Sequence, residues 1–242
     1  RHIEFLRQSF GVKRFWMCDD IFGLKPNWVQ QFNQELRDRK LAIRFYMQSR
    51  VDLLLREDTI AALAEAGLEE VWVGAESASQ HVLDAMDKGT RVEQIYEATE
   101  KLRQHRIRVA FFLQFGYPGE TPEDIEKTID MVRELVPDNL GISVSYPLPG
   151  TPFYEKVKAQ LGPKANWQDS DDLALMFHSR FQPAYYKKLQ RFVHKEYRKT
   201  QGIQNLKKMA ANPLRLSWPK LVSVLKLGYY VPGAMASAKS LK

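Results

Sequence analysis

The sequence predicts an α/β fold built by repeating one strand–helix unit, and three observations carry that prediction. Short apolar runs rich in aromatic and β-branched residues recur through the first 150 residues, and helical patterns separate them. Consecutive runs begin roughly 30 residues apart, the length of one such unit. The runs are mostly apolar, as parallel strands covered on both faces are. Repetition with right-handed crossovers gives either a barrel or an open doubly wound sheet.

The first element is a helix. "RHIEFLRQSFGV" places Ile3, Leu6 and Phe10 on one helical face, with Gly11 as a stop signal. No initiator methionine precedes it, so the chain is expected to be part of a longer protein. The strands are "RFWMC" (14–18), "IRFYM" (43–47), "EVWVG" (70–74), "RVAFFLQF" (108–115) and "GISVSY" (141–146). Helical patterns cover 26–39, 56–66, 79–104 (as one piece or two) and 122–135. The last is the clearest: Thr121 suits its cap, Pro122 its first turn, and Pro137 ends the pattern.

Composition narrows the function classes. Hydrophobic residues make up 44% and charged residues 27%, so a packed core is expected. The single cysteine, Cys18, excludes an internal disulfide and any site that needs several thiolates from this sequence alone. Cys18 itself is expected to be small, buried and inert. No apolar run is long enough to span a bilayer, and a reduced, cytoplasmic setting is expected. Charge is uneven. Residues 185–242 carry 13 Lys and Arg against one acid, Glu196, for a net +12, which leaves −5 for the rest of a chain whose total is +7. A basic end on an acidic body points to two functions or to a tail that meets an anionic partner.

Each strand runs into a segment that is polar or rich in glycine and proline. Asp19-Asp20 come after the first, Arg50 and Asp52 after the second, "GAESAS" after the third, "FGYPGET" after the fourth and "YPLPGTPFY" after the fifth. A barrel places its chemistry at those carboxyl ends, and a core alone gives no reason for the pattern. Alternation is expected to turn one aspartate inward and the other outward. Glu76, at the end of an apolar strand, needs a partner, because an unpaired buried carboxylate is costly. A lysine or a helix end would satisfy it without any ligand.

These motifs, Asp19-Asp20, Arg50-Val51-Asp52, Gly74-Ala75-Glu76-Ser77, Gly116-Tyr117-Pro118-Gly119-Glu120-Thr121 and Pro149-Gly150-Thr151-Pro152-Phe153-Tyr154, stand in order at the right spacing. Together they resemble the core of radical S-adenosylmethionine (SAM) enzymes of the branch with an upstream cobalamin-binding domain. The resemblance covers roughly residues 1–160. It implies a partial (β/α) TIM-like barrel lacking its first strand over 1–154, with a mainly helical, basic extension over 155–242. It also implies SAM, a 4Fe-4S cluster whose ligands lie upstream of Arg1, and cobalamin in an upstream domain. Implied cofactor-binding residues are Asp20 for the ligand's ammonium, Arg50 for its carboxylate, and Glu76 and Ser77 for ribose or amino groups. Gly116, Pro118 and Gly119 would meet the adenine. No metal ligand is expected among the residues of this chain. The 151–200 region resembles anaerobic magnesium-protoporphyrin monomethyl ester cyclases, which implies a bulky apolar or tetrapyrrole-like substrate.

The remaining stretch does not continue the unit. "NWQDSDDLALMF" (166–177) reads as a loop with an acidic turn. "AYYKKLQRFVHKEYRKTQG" (184–202) reads as an amphipathic helix that Gly202 stops, with Tyr185, Leu189, Phe192, Val193 and Tyr197 inward. Residues 212–242 contain no acid and place Trp218, Leu221, Val222, Leu225 and Tyr229 on a short helix. That helix would either pack on the domain or contact a membrane peripherally. No nucleic-acid motif is present. Two rival readings are a non-catalytic barrel remnant that binds a partner or membrane, and a barrel enzyme using Asp20 and Glu76 as an acid–base pair.

Overall fold

Apolar strand sequences joined by amphipathic helices form one sheet here. In the computed structural model, which describes residues 1–25, 27–161, 175–212 and 217–241, five parallel strands run in the order β1-β2-β3-β4-β5. They are β1 (Arg14–Trp16), β2 (Arg44–Ser49), β3 (Leu68–Glu76), β4 (Arg108–Phe115) and β5 (Asn139–Val144). This is the partial (β/α) barrel expected. The chain divides into two compact units, the first Arg1–Glu76, Asp87–Leu113 and Pro137–Gly141, the second Ser77–Met86, Gln114–Val136 and Ile142–Lys242.

In the first unit, α1 (His2–Phe10) ends at Gly11, whose left-handed backbone (φ 66°) lets its N–H reach the Arg7 carbonyl. Next come α2 (Trp28–Asp38), α3 (Val51–Leu54) and α4 (Thr59–Ala66), with α5 (Gln80–Ala85) in the second unit and α6 (Val92–Gln104) back in the first. Phe45, Met47, Val71, Val73 and Ala75 are fully or almost fully buried. Along β3 these alternate with Trp72, Gly74 and Glu76, which are half-buried, so one face of the strand is core and the other is partly covered.

Two expectations fail at the first strand. β1 ends at Trp16, and Cys18 is exposed, its thiol 3.6 Å from the Trp16 carbonyl oxygen. Asp19 and Asp20 are both exposed, so strand alternation does not sort them. The reason is position: β1 is a three-residue edge strand paired, among the described residues, only with β2.

In the second unit, α7 (Pro122–Leu135) starts as its sequence dictates. The Thr121 hydroxyl accepts from the Asp124 N–H, and the Asp124 carboxylate accepts from the Thr121 N–H at 3.0 Å. Such a reciprocal cap contributes about 1 kcal/mol. After α8 (Pro152–Val157), α9 (Pro183–Ala211) buries Tyr186, Leu189, Phe192, Val193 and Tyr197. Tyr186 takes the inward place expected for Tyr185. Gly202 does not stop α9, which runs on to Ala211. A Cβ at Gly202 would lie 2.7 Å from Leu227 Cδ2 and 2.9 Å from the Ser223 carbonyl oxygen. Gly202 is thus a point of close helix approach, to α10 (Trp218–Leu225) and α11 (Leu227–Lys239). Of the 166–177 loop, residues 166–174 lie outside the described residues.

Candidate active site

The first unit gathers charge beyond the ends of β2 and β3. β2 runs into Arg50, which caps α3 and grips Asp52 through Nε at 2.9 Å and Nη2 at 3.4 Å. Arg50 Nη2 also donates to the Lys88 carbonyl at 2.8 Å. Lys88 in turn places its ammonium 2.7 Å from Glu76 Oε1. Arg50, Lys88 and Glu76 form one connected chain in which a single residue supplies both links. Arg50 Nη1 and Glu76 Oε2 have no hydrogen-bond partner among the described residues, and the Lys88 ammonium donates once, so several donors and one carboxylate oxygen stay unpaired here.

Local backbone makes this possible. Glu76 ends β3 with φ 56°, in the left-handed region that a residue other than glycine seldom takes, and the strand register shifts between Gly74 and Glu76. Gly74 has the room its neighbours need: a Cβ there would stand 2.5 Å from Glu76 Oε1 and 2.8 Å from Lys88 Nζ. Lys88 lies between Asp87 and Gly89, both with positive φ, in the turn that separates α5 from α6. Asp20 has no ion pair or hydrogen bond to this group among the described residues.

The second unit holds the other predicted residues. Ser77 is fully buried; its hydroxyl shares a hydrogen bond with the Thr128 hydroxyl at 3.1 Å and accepts from the Ser79 N–H. The Ser79 hydroxyl donates to Asp124 at 2.6 Å, tying this loop to the start of α7. Gly116 (φ 83°) and Gly119 (φ 92°) shape the turn after β4, with Pro118 half-buried between them. The Gly116 N–H donates to Glu120 Oε2 at 2.6 Å. Glu120 is only 5% exposed, and its Oε1 is buried without a partner among the described residues. Burial pushes the carboxyl up to about 7; the Gly116 N–H works against that, and Asp124 adds to it.

The sequence pattern did not point to the parts played by Lys88 and Glu120. The signal for Lys88 was the Asp-Lys-Gly-Thr break inside the 79–104 helical pattern. The signal for Glu120 was an acid one residue ahead of a helix cap and four beyond a glycine.

A parallel-stranded partial barrel with charged and glycine-bearing strand ends defines a class of enzyme scaffold. Within it, residues 1–132 match the model of the Radical SAM superfamily, and the chain belongs to that family of enzymes. Its curated relatives include the bacteriochlorophyllide d C-12(1)-methyltransferase of Chlorobaculum tepidum. That protein is 24% identical over 218 residues, 88% of this chain and 46% of the relative. The anaerobic magnesium-protoporphyrin IX monomethyl ester cyclase of Rubrivivax gelatinosus is 29% identical over 156 residues, 64% of this chain and 28% of the relative. The chain therefore spans less than half the length of these relatives. Among solved structures, apo OxsB, a cobalamin-dependent S-adenosylmethionine radical enzyme, shares the fold. Its TM-score is 0.64 over 96% of this chain and 40% of that one, at 15% identity.

Proposed function

We propose that this chain is the SAM-holding core of a cytoplasmic radical SAM enzyme of the cobalamin branch, acting on a bulky, apolar or tetrapyrrole-like substrate. The observation that carries the reading is the Arg50–Lys88–Glu76 chain at the strand ends of a family member. The substrate class rests on two relatives that are named for tetrapyrrole chemistry.

The residues fit SAM. Arg50 Nη1 and the unused N–H donors of Lys88 suit the ligand's carboxylate, since guanidinium and ammonium bind it through charge-assisted hydrogen bonds. Glu76 Oε2 suits an ammonium or ribose hydroxyl, and Asp20 a second ammonium contact. Gly74 keeps the space beside Glu76 and Lys88 open. The expected adenine contacts Gly116, Pro118 and Gly119 belong to the second unit, as does Ser77, whose hydroxyl is bonded to Thr128 and the Ser79 N–H. When bound with its partner cofactors, SAM supplies either a 5′-deoxyadenosyl radical or a methyl group; this chain's residues bind and orient it.

The cluster does not fit these residues. Cys18 is the single cysteine, and among the described residues no group of three or more His, Cys, Asp or Glu could hold a metal ion. In this reading the cluster ligands and the cobalamin site belong to other parts of the protein, and 155–242 is a helical extension. We also infer peripheral membrane contact through 212–242.

Equilibrium dialysis of SAM against the anaerobically reconstituted protein that carries this chain tests the site. Arg50→Gln and Glu76→Gln should each weaken binding about tenfold or more, the worth of a hydrogen bond to a charged group. Wild-type affinity in both variants would sink the reading.

A further inference from the structure

α11 is apolar nearly all round, and its outward side is left uncovered. The side packed on α9 is partly polar: Ser237 accepts from the Lys195 ammonium at 3.0 Å, Lys188 donates to the Ser240 carbonyl just beyond the helix, and Ala234 is buried. Leu227 fills the notch left by Gly202. The opposite side carries Gly228, Tyr229, Val231, Pro232, Met235 and Ala236, all exposed, with Tyr229 at 65% and Met235 at 63%. On α10, Trp218 and Leu225 are exposed by 73% and 69%. A surface helix ordinarily puts polar residues outward, and between Gly228 and Ala236 this one puts none but the Tyr229 hydroxyl there. A large exposed apolar patch marks an interaction surface.

Charge identifies the occupant. From Tyr197 to Lys242 there is no acid and there are nine Lys and Arg, and Lys226 and Lys239 stand exposed just before and at the end of α11. A second copy of the same surface would bring like charges together with no acid to pair them. An anionic lipid surface offers both complements, phosphate groups for the lysines and an acyl boundary for the aromatic and aliphatic side chains. Among the described residues no helix is long and apolar enough to cross a membrane.

We infer that α11, flanked by α10, beds its Tyr229–Met235 face into anionic lipid headgroups, with Lys226 and Lys239 held by lipid phosphates. This gives a surface to the membrane part of the proposed function and is independent of the strand-end site. A membrane contact there would suit an enzyme whose apolar substrate partitions into lipid.

Co-sedimentation of the full protein with vesicles tests it, using phosphatidylcholine containing about one-third phosphatidylglycerol against phosphatidylcholine alone. The wild type should bind the anionic vesicles at least about tenfold better than the neutral ones. Tyr229→Glu/Met235→Glu should lose binding to both, about tenfold or more. Lys226→Glu/Lys239→Glu should lose the anionic preference. All four positions are exposed, and circular dichroism checks that each variant is folded. SAM binding should stay at wild-type level in all of them. Failure of the site reading would instead appear in the Arg50 and Glu76 variants with vesicle binding intact. No binding to anionic vesicles, unchanged binding by folded Tyr229→Glu/Met235→Glu, or a dimer that this variant dissociates would each overturn the inference.

Discussion

Glu76 and Glu120 occupy parallel places, each close after a glycine at or just past the end of a strand, yet the fold treats them oppositely. Glu76 is half-buried and meets a cation, with Lys88 at 2.7 Å. Glu120 is buried, accepts from the Gly116 N–H, and leaves Oε1 without a partner among the described residues. Each keeps one oxygen unpaired, but the Glu76 carboxylate is balanced by the Lys88 ammonium, whereas the Glu120 carboxyl has no cation and is pushed up to about 7. The same side chain at equivalent places is therefore charge-paired in one unit and held in a turn in the other, and the neighbouring backbone and cation decide which.

The largest effect should come from Glu120. Its folded-state value lies above the ordinary carboxylate value of 4.5, so the folded protein holds the proton more tightly than the unfolded chain. Its contribution is intact below about pH 4.5 and is lost as the pH rises toward 7, roughly 3 kcal/mol in all. Glu120→Gln should remove that slope, and urea titrations from pH 5 to pH 8 read it. An unchanged slope would mean that Glu120 is braced differently. Next comes Lys88→Met, which strips Glu76 of its cation. It should cost about 2 kcal/mol in the same titration, less than a fully buried pair because both side chains keep some solvent. Glu76→Gln in the same chain should recover part of the loss, and strict additivity would deny the pair its coupling. Gly74→Ala should be mildest, about 1 kcal/mol. The new Cβ meets the far ends of two long side chains, which can shift, and Gly74 has no left-handed backbone to protect. Gly74→Ala should still weaken SAM binding more than it weakens the fold, so the ratio of the two losses separates a binding cradle from a packing site.

Much of this architecture comes from local chemistry. The β4 segment 108–115 and the α7 segment 122–135 match the sequence pattern residue for residue. Their strand pattern and their Thr-Pro start are decided within a few residues. The charged strand ends were legible too, because polar residues after apolar strands recur at one topological level. Long-range neighbours were not. Cys18 looks buried by type and is exposed, because burial depends on what covers an edge strand. Gly202 looks like a stop by type and lies inside a 29-residue helix, because Leu227 and Ser223 approach it from elsewhere in the chain. Lys88 lies twelve residues from Glu76 in sequence, in a turn between helices, and no periodicity points it back to the strand. The sequence by itself determined which segments are strands and helices and that chemistry gathers at the strand ends, since backbone preference and side-chain period act locally. Only the tertiary structure decided which glutamate is paired with a cation and which α11 side chains stay exposed, because desolvation and ion pairing are set by atoms that meet only once the chain has folded.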